Sequence, residues 1–275
     1  MIQVQARFYD QNPPLIPWPN LLLKKGLSCL YKPREIFWKS VLDSLGMEKG
    51  DRVLEVGCGQ GLFLARIAKQ YHIKGLGIDI SPASIKFANE NYENGNLKYL
   101  NASVLKLPFK SRSFGHVFSF DVLEHIEDQV KAVEEMVRVL KPGGKLVIYT
   151  LNKNDKFTLD WFWERLGIDI YARALHKREL FVDIDWLKSI IEVQKAKVLY
   201  LSLFDAFFTL FLDEVIMVFV SVSRKLGLFS NNLAGGIFLF FADLASRIFY
   251  PIGYILDSPW FKKGRSLSFI IVVKK

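Results

Sequence analysis

Val53-Leu-Glu-Val-Gly-Cys-Gly-Gln-Gly61 passes from a short apolar run into three glycines at alternate positions, and then into Leu62–Tyr71, whose apolar residues share one helical face. This is strand, turn and helix in nine residues and their sequel. Glycine lets the backbone turn sharply and approach a ligand closely, and the helix that follows presents N–H groups to an anionic or polar ligand. Outward from this point the pattern repeats. Ile73–Ile80 reads as a second strand, and Ser81-Pro82 opens a helix with Ser as its cap and Pro in its first turn. Leu97–Asn101 and His116–Phe120 read as the third and fourth strands. Val130–Leu140 reads as a helix ended by Lys141-Pro-Gly-Gly, and Lys145–Thr150 as a fifth strand. Strands alternating with helices at this interval predict a doubly wound, parallel α/β sheet.

Upstream, Arg34–Leu45 has helical spacing, and residues 1–33 are Pro-rich and aromatic, an arm without regular structure. Downstream, Asp185–Val193 reads as a helix and Lys197–Leu203 as a sixth strand. Two hydrophobic stretches follow, Ala206–Val222 and Leu233–Leu256, and the β-branched run Ser266–Lys275 suits a last, central strand. The expected organisation is an arm (1–33), a nucleotide-binding core (34–152), a cap region with the sixth strand (153–205), a hydrophobic helical hairpin (206–262) and the final strand (263–275).

The glycine spacing is GxGxG rather than the GxGxxG of nicotinamide-dependent enzymes. Glu55 lies in the strand just before the turn, where a carboxylate suits a cation better than a pyrophosphate. Asp79 ends the second strand, 24 residues after Glu55, and is placed to grip both hydroxyls of a ribose. A nucleoside carrying a positive group fits these features better than a dinucleotide does.

Five segments, VLEVGCGQG (53–61), GIDIS (77–81), LPF (107–109), FDVLEHI (120–126) and PGG (142–144), resemble the successive motifs of class I S-adenosylmethionine (SAM) methyltransferases. They are most similar to the methyltransferase type 11 group and its quinone-biosynthesis members. The resemblance covers roughly residues 35–152 and the final strand. It implies a Rossmann-like seven-stranded sheet with the last strand antiparallel, the hydrophobic insertion preceding that strand, and S-adenosyl-L-methionine as cofactor. By position, Glu55 and the backbone around Gly57, Gly59 and Gly61 would hold the cofactor's amino-acid end, and Asp79 its ribose. Ile80 would pack on the adenine, Ser103 and Val104 would edge it, and Phe120 and Asp121 would lie under the methionine portion. Ser103 stands where the family usually has Asp, and Gly115 where Asp is common before the fourth strand.

Methyl transfer is an in-line displacement at a sulfonium, so the protein's tasks are to align the acceptor and, where needed, remove its proton. His125 is the candidate general base; a histidine that only bonds neighbouring backbone is the alternative. Glu124 reads as structural, or as an orienter of His125. His176-Lys177-Arg178 reads as a solvated charge run, with an anion site as alternative, and Trp161-Phe162-Trp163 as either a pocket floor or core. The four histidines have no metal-ligand spacing, so no metal site is expected.

Of 275 residues, 51% are hydrophobic and 24% charged, which excludes a disordered chain. Two cysteines, Cys29 and Cys58, are too few for a disulfide framework. The net charge of +9 comes from dispersed basic residues without a stripe of interleaved aromatics, so no nucleic acid is expected and a membrane surface is favoured. Asp213 and Glu214 interrupt the first hydrophobic stretch; at a bilayer centre each costs roughly 2.5–3.5 kcal/mol, which about offsets a dozen apolar residues. Two transmembrane helices are possible, but a monotopic hairpin on the inner face of the membrane, on a cytoplasmic enzyme, is preferred; a soluble lid over a greasy pocket is the alternative. The expected activity is methyl transfer to a lipophilic acceptor, such as a quinol precursor or lipid-linked sugar. Methylation of RNA or protein, and a non-catalytic membrane adaptor on this fold, are the competing readings.

Overall fold

The structure, a computed structural model, describes residues 39–168, 176–212, 215 and 248–275. The arm at 1–33 lies outside them, as do Asp213, Glu214, the 224–232 loop, Asp243 and Arg247. Seven strands form one sheet: β1 (Arg52–Val56), β2 (Lys74–Asp79), β3 (Leu97–Asn101), β4 (Phe114–Phe120), β5 (Leu140–Leu151), β6 (Lys197–Phe204) and β7 (Ser268–Lys274). Their order is β3-β2-β1-β4-β5-β7-β6. β7 runs antiparallel to both neighbours, Ile271 facing Ile148 on one side and Leu201 on the other. The remaining neighbours are parallel.

The helices are α1 (Leu62–Tyr71), α2 (Pro82–Tyr92), α3 (Gln129–Val139), α4 (Leu159–Arg165), α5 (Ile184–Val193) and α6 (Ser258–Phe261), with further helical stretches over 39–44, 208–212 and 248–256. Each inner strand is covered on both faces. On one face, Leu54, Val117, Ile148 and Ile271 pack against Val133, Met136 and Val137 of α3 and Leu187 and Ile191 of α5. On the other, Val53, Phe118, Val147 and Ile270 pack against Val41 and Leu42, Leu64 and Ile67 of α1, and Ile85 of α2. That two-sided cover is why β7 is an unbroken apolar run rather than an alternating one. Each of its buried side chains contributes about 1.5–3 kcal/mol.

The expected elements are present, with boundaries moved by specific contacts. Ser81 caps α2, its Oγ accepting from the Ser84 N–H at 3.1 Å, with Pro82 in the first turn. α3 ends at Val139, and Lys141-Pro-Gly-Gly belongs to the start of β5 rather than to a loop before it. A Cβ on Gly144 would come within 2.8 Å of the Gly115 carbonyl, so only glycine admits this close pairing. The α3 C-terminus receives an ammonium from far along the chain: Lys275 Nζ donates to the carbonyls of Val137, Leu140 and Arg138 at 2.7, 3.0 and 3.2 Å.

β1 is the turning point of the sheet. The chain passes outward through β2 and β3 on one side and through β4 and β5 on the other. The loops at the carboxyl ends of β1 and β4 therefore diverge, and such a crevice is where open α/β sheets bind ligands.

Candidate functional site

The loop after β1 is built for close approach. Gly57, Gly59 and Gly61 all have positive φ, at +69°, +49° and +78°. A Cβ on Gly57 would lie 2.3 Å from Val122 Cγ2, so the turn presses directly against the loop after β4. Gly61 serves packing: a Cβ there would meet Tyr99 at 2.5 Å and Ala88 at 2.9 Å, and the Gly61 carbonyl accepts from the Tyr99 hydroxyl at 3.0 Å. The third glycine of this shorter motif thus joins α1 to β3 and α2, a role the spacing alone did not announce.

Asp79 reaches back to the same loop. Its Oδ2 accepts from the Gly59 N–H at 2.8 Å and its Oδ1 from the Ser81 N–H at 2.9 Å. A carboxylate offers about four acceptor directions, so these two bonds orient it without exhausting it. Glu55 sits beneath the loop, 4% exposed. Burial pushes its pKa well above the ordinary carboxylate value; a backbone hydrogen bond from Leu64 opposes the rise, and the Asp79 charge adds to it. Its Oε2 is buried with no hydrogen-bond partner. A buried acceptor without a donor is costly, and a cationic or N–H-bearing group at the loop would relieve it.

Ile80 is half-buried at the end of β2. Ser103 caps a single 3₁₀ turn, its Oγ accepting from the Leu105 N–H at 3.2 Å, so part of its hydroxyl's capacity is used locally. The Val104 side chain is buried in the core on the α3 side, so any contact to a base comes from its backbone. Phe120 stands edge-on to Phe63, ring centroids 4.7 Å apart. Asp121 follows with φ +54°, an uncommon conformation for a residue with a side chain, held by its N–H bond to the Tyr149 carbonyl at 3.0 Å.

The next turn gathers groups that are remote in sequence. Glu124 is fully buried, and its Oε2 accepts from the Thr150 hydroxyl at 2.7 Å. Burial, and then the Asp121 charge, drive its pKa upward. His125 lies against His176, ring centroids 4.7 Å apart. Burial pushes both imidazoles down to about 4, His176 adding to the effect on His125. The base expected at His125 is therefore neutral at pH 7 but weak. The histidine triplet region is not a solvated charge run either. Arg178 pairs with Glu164 and with the buried Asp155, and His176 packs on His125, while Lys177 is exposed. Glu124, His125 and His176 bring one ligating atom each within 4.8 Å of one another, although no metal-ligand spacing is visible in the chain.

At the same carboxyl edge of the sheet, beyond β5 and β6, lies an aromatic cleft of about 440 Å³. Phe157, Phe162, Phe207, Phe208 and Trp260 form its walls, with Lys263 and Arg265 among its lining residues. Phe162 belongs to the Trp-Phe-Trp segment expected either to floor a pocket or to fill core; it is 39% exposed. Phe207 and Phe208 are held by Asp257, which is fully buried and accepts from their N–H groups at 3.0 and 2.8 Å and from Thr209 N–H and Oγ1. Composition hinted at aromatic crowding, but not at which rings meet.

Among known proteins, a methyltransferase domain family matches residues 54–148. The chain is 35% identical over 169 residues to an uncharacterized protein of Methanocaldococcus jannaschii, across 60% of this chain and 73% of that one. It is 31% identical over 160 residues to the ubiquinone/menaquinone biosynthesis C-methyltransferase of Edwardsiella ictaluri, across 56% and 61%. It spans about half the length, or less, of the O-methyltransferases it matches. A putative sarcosine dimethylglycine methyltransferase from Galdieria sulphuraria shares the fold, with a TM-score of 0.59 over 88% of this chain and 85% of that one at 18% identity.

Proposed function

Given that the chain belongs to the class I S-adenosylmethionine-dependent methyltransferases, we propose that it methylates a lipophilic acceptor, a quinol precursor or lipid-linked sugar. The single observation that carries the acceptor class is the aromatic cleft at the carboxyl edge of the sheet. Its walls suit an isoprenoid or acyl chain, and Lys263 and Arg265 suit an anionic or polar head. The likeness to a quinone-biosynthesis methyltransferase supports the same class.

The loop residues fit S-adenosylmethionine. The orphaned Oε2 of buried Glu55 is matched to a cationic ligand, the backbone at Gly57 and Gly59 to close approach, and Asp79 to a ribose. Ile80, Ser103 and the Val104 backbone are assigned to the adenine, and Phe120 and Asp121 to the methionine portion. When bound, the cofactor would supply an activated methyl group, and these residues would hold its methyl–sulfur bond in line with the acceptor's nucleophile. His125, neutral and half-buried next to this edge, is assigned to the acceptor side as a hydrogen-bond acceptor and weak base.

The same reading places the protein at a membrane surface, as a peripheral or monotopic enzyme. Ile255, Phe249 and Phe211, exposed by 69%, 54% and 51%, lie on helical residues on either side of the undescribed part of the hydrophobic stretches. Among the described residues no helix is long and apolar enough to cross a membrane. Incubation with methyl-tritiated S-adenosylmethionine and a membrane lipid extract tests the acceptor: label is expected in the organic phase. Label confined to the aqueous phase sinks the lipophilic class.

A further inference from the structure

We propose that Tyr149 binds the hydroxyl of a phenol or quinol acceptor, and that a hydrogen-bond chain through Ser268 to Asp205 sets the direction in which it does so. Tyr149 has this role only if the cofactor lies as proposed above, with Phe120 under its methionine portion. Of the two acceptor classes, the aromatic one is thereby selected over the lipid-linked sugar.

The chain of bonds is short and buried. Tyr149 Oη donates to Ser268 Oγ at 2.9 Å, and Ser268 Oγ donates to Asp205 Oδ2 at 3.2 Å. Ser268 is fully buried and Asp205 nearly so, while Tyr149 is half-buried. An ionised carboxylate only accepts, so the serine proton points to Asp205 and the serine oxygen is left to accept from the phenol. The phenol proton is turned inward, and what Tyr149 Oη offers a ligand is a lone pair. It therefore suits an acceptor that brings an O–H, and linked bonds of this kind strengthen one another.

Sheet register brings the three residues together. Ser268, the first residue of β7, faces Leu151 of β5 on one side and Phe204 of β6 on the other, and Asp205 follows Phe204. Asp205 has φ +59°, and its carbonyl accepts from the Leu267 N–H at 2.6 Å. Residues with side chains seldom adopt that conformation, and those that do gather at functional sites. Burying a carboxylate is also costly to folding, which fits a use at the outer end of the chain better than a packing role.

That outer end lies in a row of rings. Parallel register pairs Tyr149 with Phe120, so both side chains leave the sheet on the same face, where Phe63 and Phe204 join them. Ring centroids are 4.7 Å apart for Phe63 and Phe120, and 6.4 Å for Tyr149 and Phe204. Of these four rings Tyr149 alone carries a hydroxyl. A flat aromatic head laid along the row gains ring contacts and meets Tyr149 Oη through its own hydroxyl. A sugar would press several hydroxyls onto three phenylalanines, a costly desolvation.

The test is calorimetry on the full chain saturated with S-adenosylhomocysteine, using 2-hexylphenol and its methyl ether, 2-hexylanisole, which has no O–H to donate. Wild type is expected to prefer the phenol by about three- to tenfold, the worth of one neutral hydrogen bond. Tyr149→Phe, which keeps the ring, is expected to bind both probes alike. Ser268→Ala keeps the tyrosine but breaks the chain, and is expected to lose at least half of the preference. Because each result is a ratio of two ligands on one sample, reduced stability of a variant does not mimic it. Both probes bound by wild type without preference, or the same preference in Tyr149→Phe, overturns the role of Tyr149 and leaves the lipophilic acceptor standing. An unchanged preference in Ser268→Ala overturns the chain. If wild type binds S-adenosylhomocysteine but neither probe, the lipophilic acceptor falls and this site falls with it; if S-adenosylhomocysteine itself does not bind, the cofactor placement falls first.

Discussion

Replacing Asp79 by alanine removes a side chain that joins the glycine loop to the end of β2. Its two oxygens accept from the N–H groups of Gly59 and Ser81 at 2.8 and 2.9 Å. Those amides lie in a part-buried turn, where water can replace the carboxylate, so each lost bond costs folding only about 1 kcal/mol. The effect on ligand binding is larger. Hydrogen bonds to a charged group are worth roughly 1.5–3 kcal/mol each. Loss of two to the ribose hydroxyls weakens S-adenosylhomocysteine by about 3–6 kcal/mol, or roughly 10²–10⁴-fold. Asp79→Asn keeps one acceptor oxygen and falls between wild type and alanine. The assay is calorimetric titration, paired with urea denaturation of each variant. A loss below about tenfold for Asp79→Ala, with stability intact, refutes the assignment of this carboxylate to the ribose. A loss that follows unfolding instead assigns it to holding the loop.

Gly57→Ala, at φ +69° with its Cβ 2.3 Å from Val122 Cγ2, is expected to cost about 1–3 kcal/mol in urea denaturation, partly recovered by adding Val122→Ala; wild-type stability would show that the two loops are not in contact. Asp257→Ala leaves the amides of residues 207–209 and the Thr209 hydroxyl without their acceptor and is expected to cost about 3–5 kcal/mol, while a change under about 1 kcal/mol would contradict the buried geometry. Glu135 is held below the usual carboxylate range chiefly by its paired hydrogen bonds with Arg138, opposed by burial and helped by the Leu107 N–H. A depressed folded-state pKa means stability present at neutral pH and lost as pH falls below the ordinary carboxylate value of 4.5 and through the folded value. Melting temperature followed downward from pH 6 should therefore drop less steeply for Glu135→Gln than for wild type, and parallel curves would remove Glu135 from the acid response.

Much of this molecule is legible locally. The strand–glycine–helix passage at 53–61, the Ser81-Pro82 start of α2 and the Lys141-Pro-Gly-Gly stop of α3 are written in adjacent residues, because caps, turns and φ > 0 are local chemistry. Period and run length placed the strands for the same reason, and the resemblance supplied the antiparallel last strand. Boundaries shifted where a distant contact intervened, as when Gly144 pairs tightly with Gly115 and extends β5 back to Leu140.

The functional details divide along the same line. Sequence alone determined the parallel part of the sheet, the glycine loop and the positions of the acidic pair Glu55 and Asp79, since each depends on neighbours in the chain or on strand ends of known offset. Tertiary structure decided that Ser103 spends an oxygen on a cap, that Arg178 is held by Asp155 and Glu164, and that His176 meets His125 across 50 intervening residues. It also decided which aromatic rings enclose the cleft and that one buried carboxylate, Asp257, anchors them. Spacing along a chain encodes hydrogen bonds and periodicity within a few residues; which remote side chains share a volume follows only from how both faces of the sheet are filled.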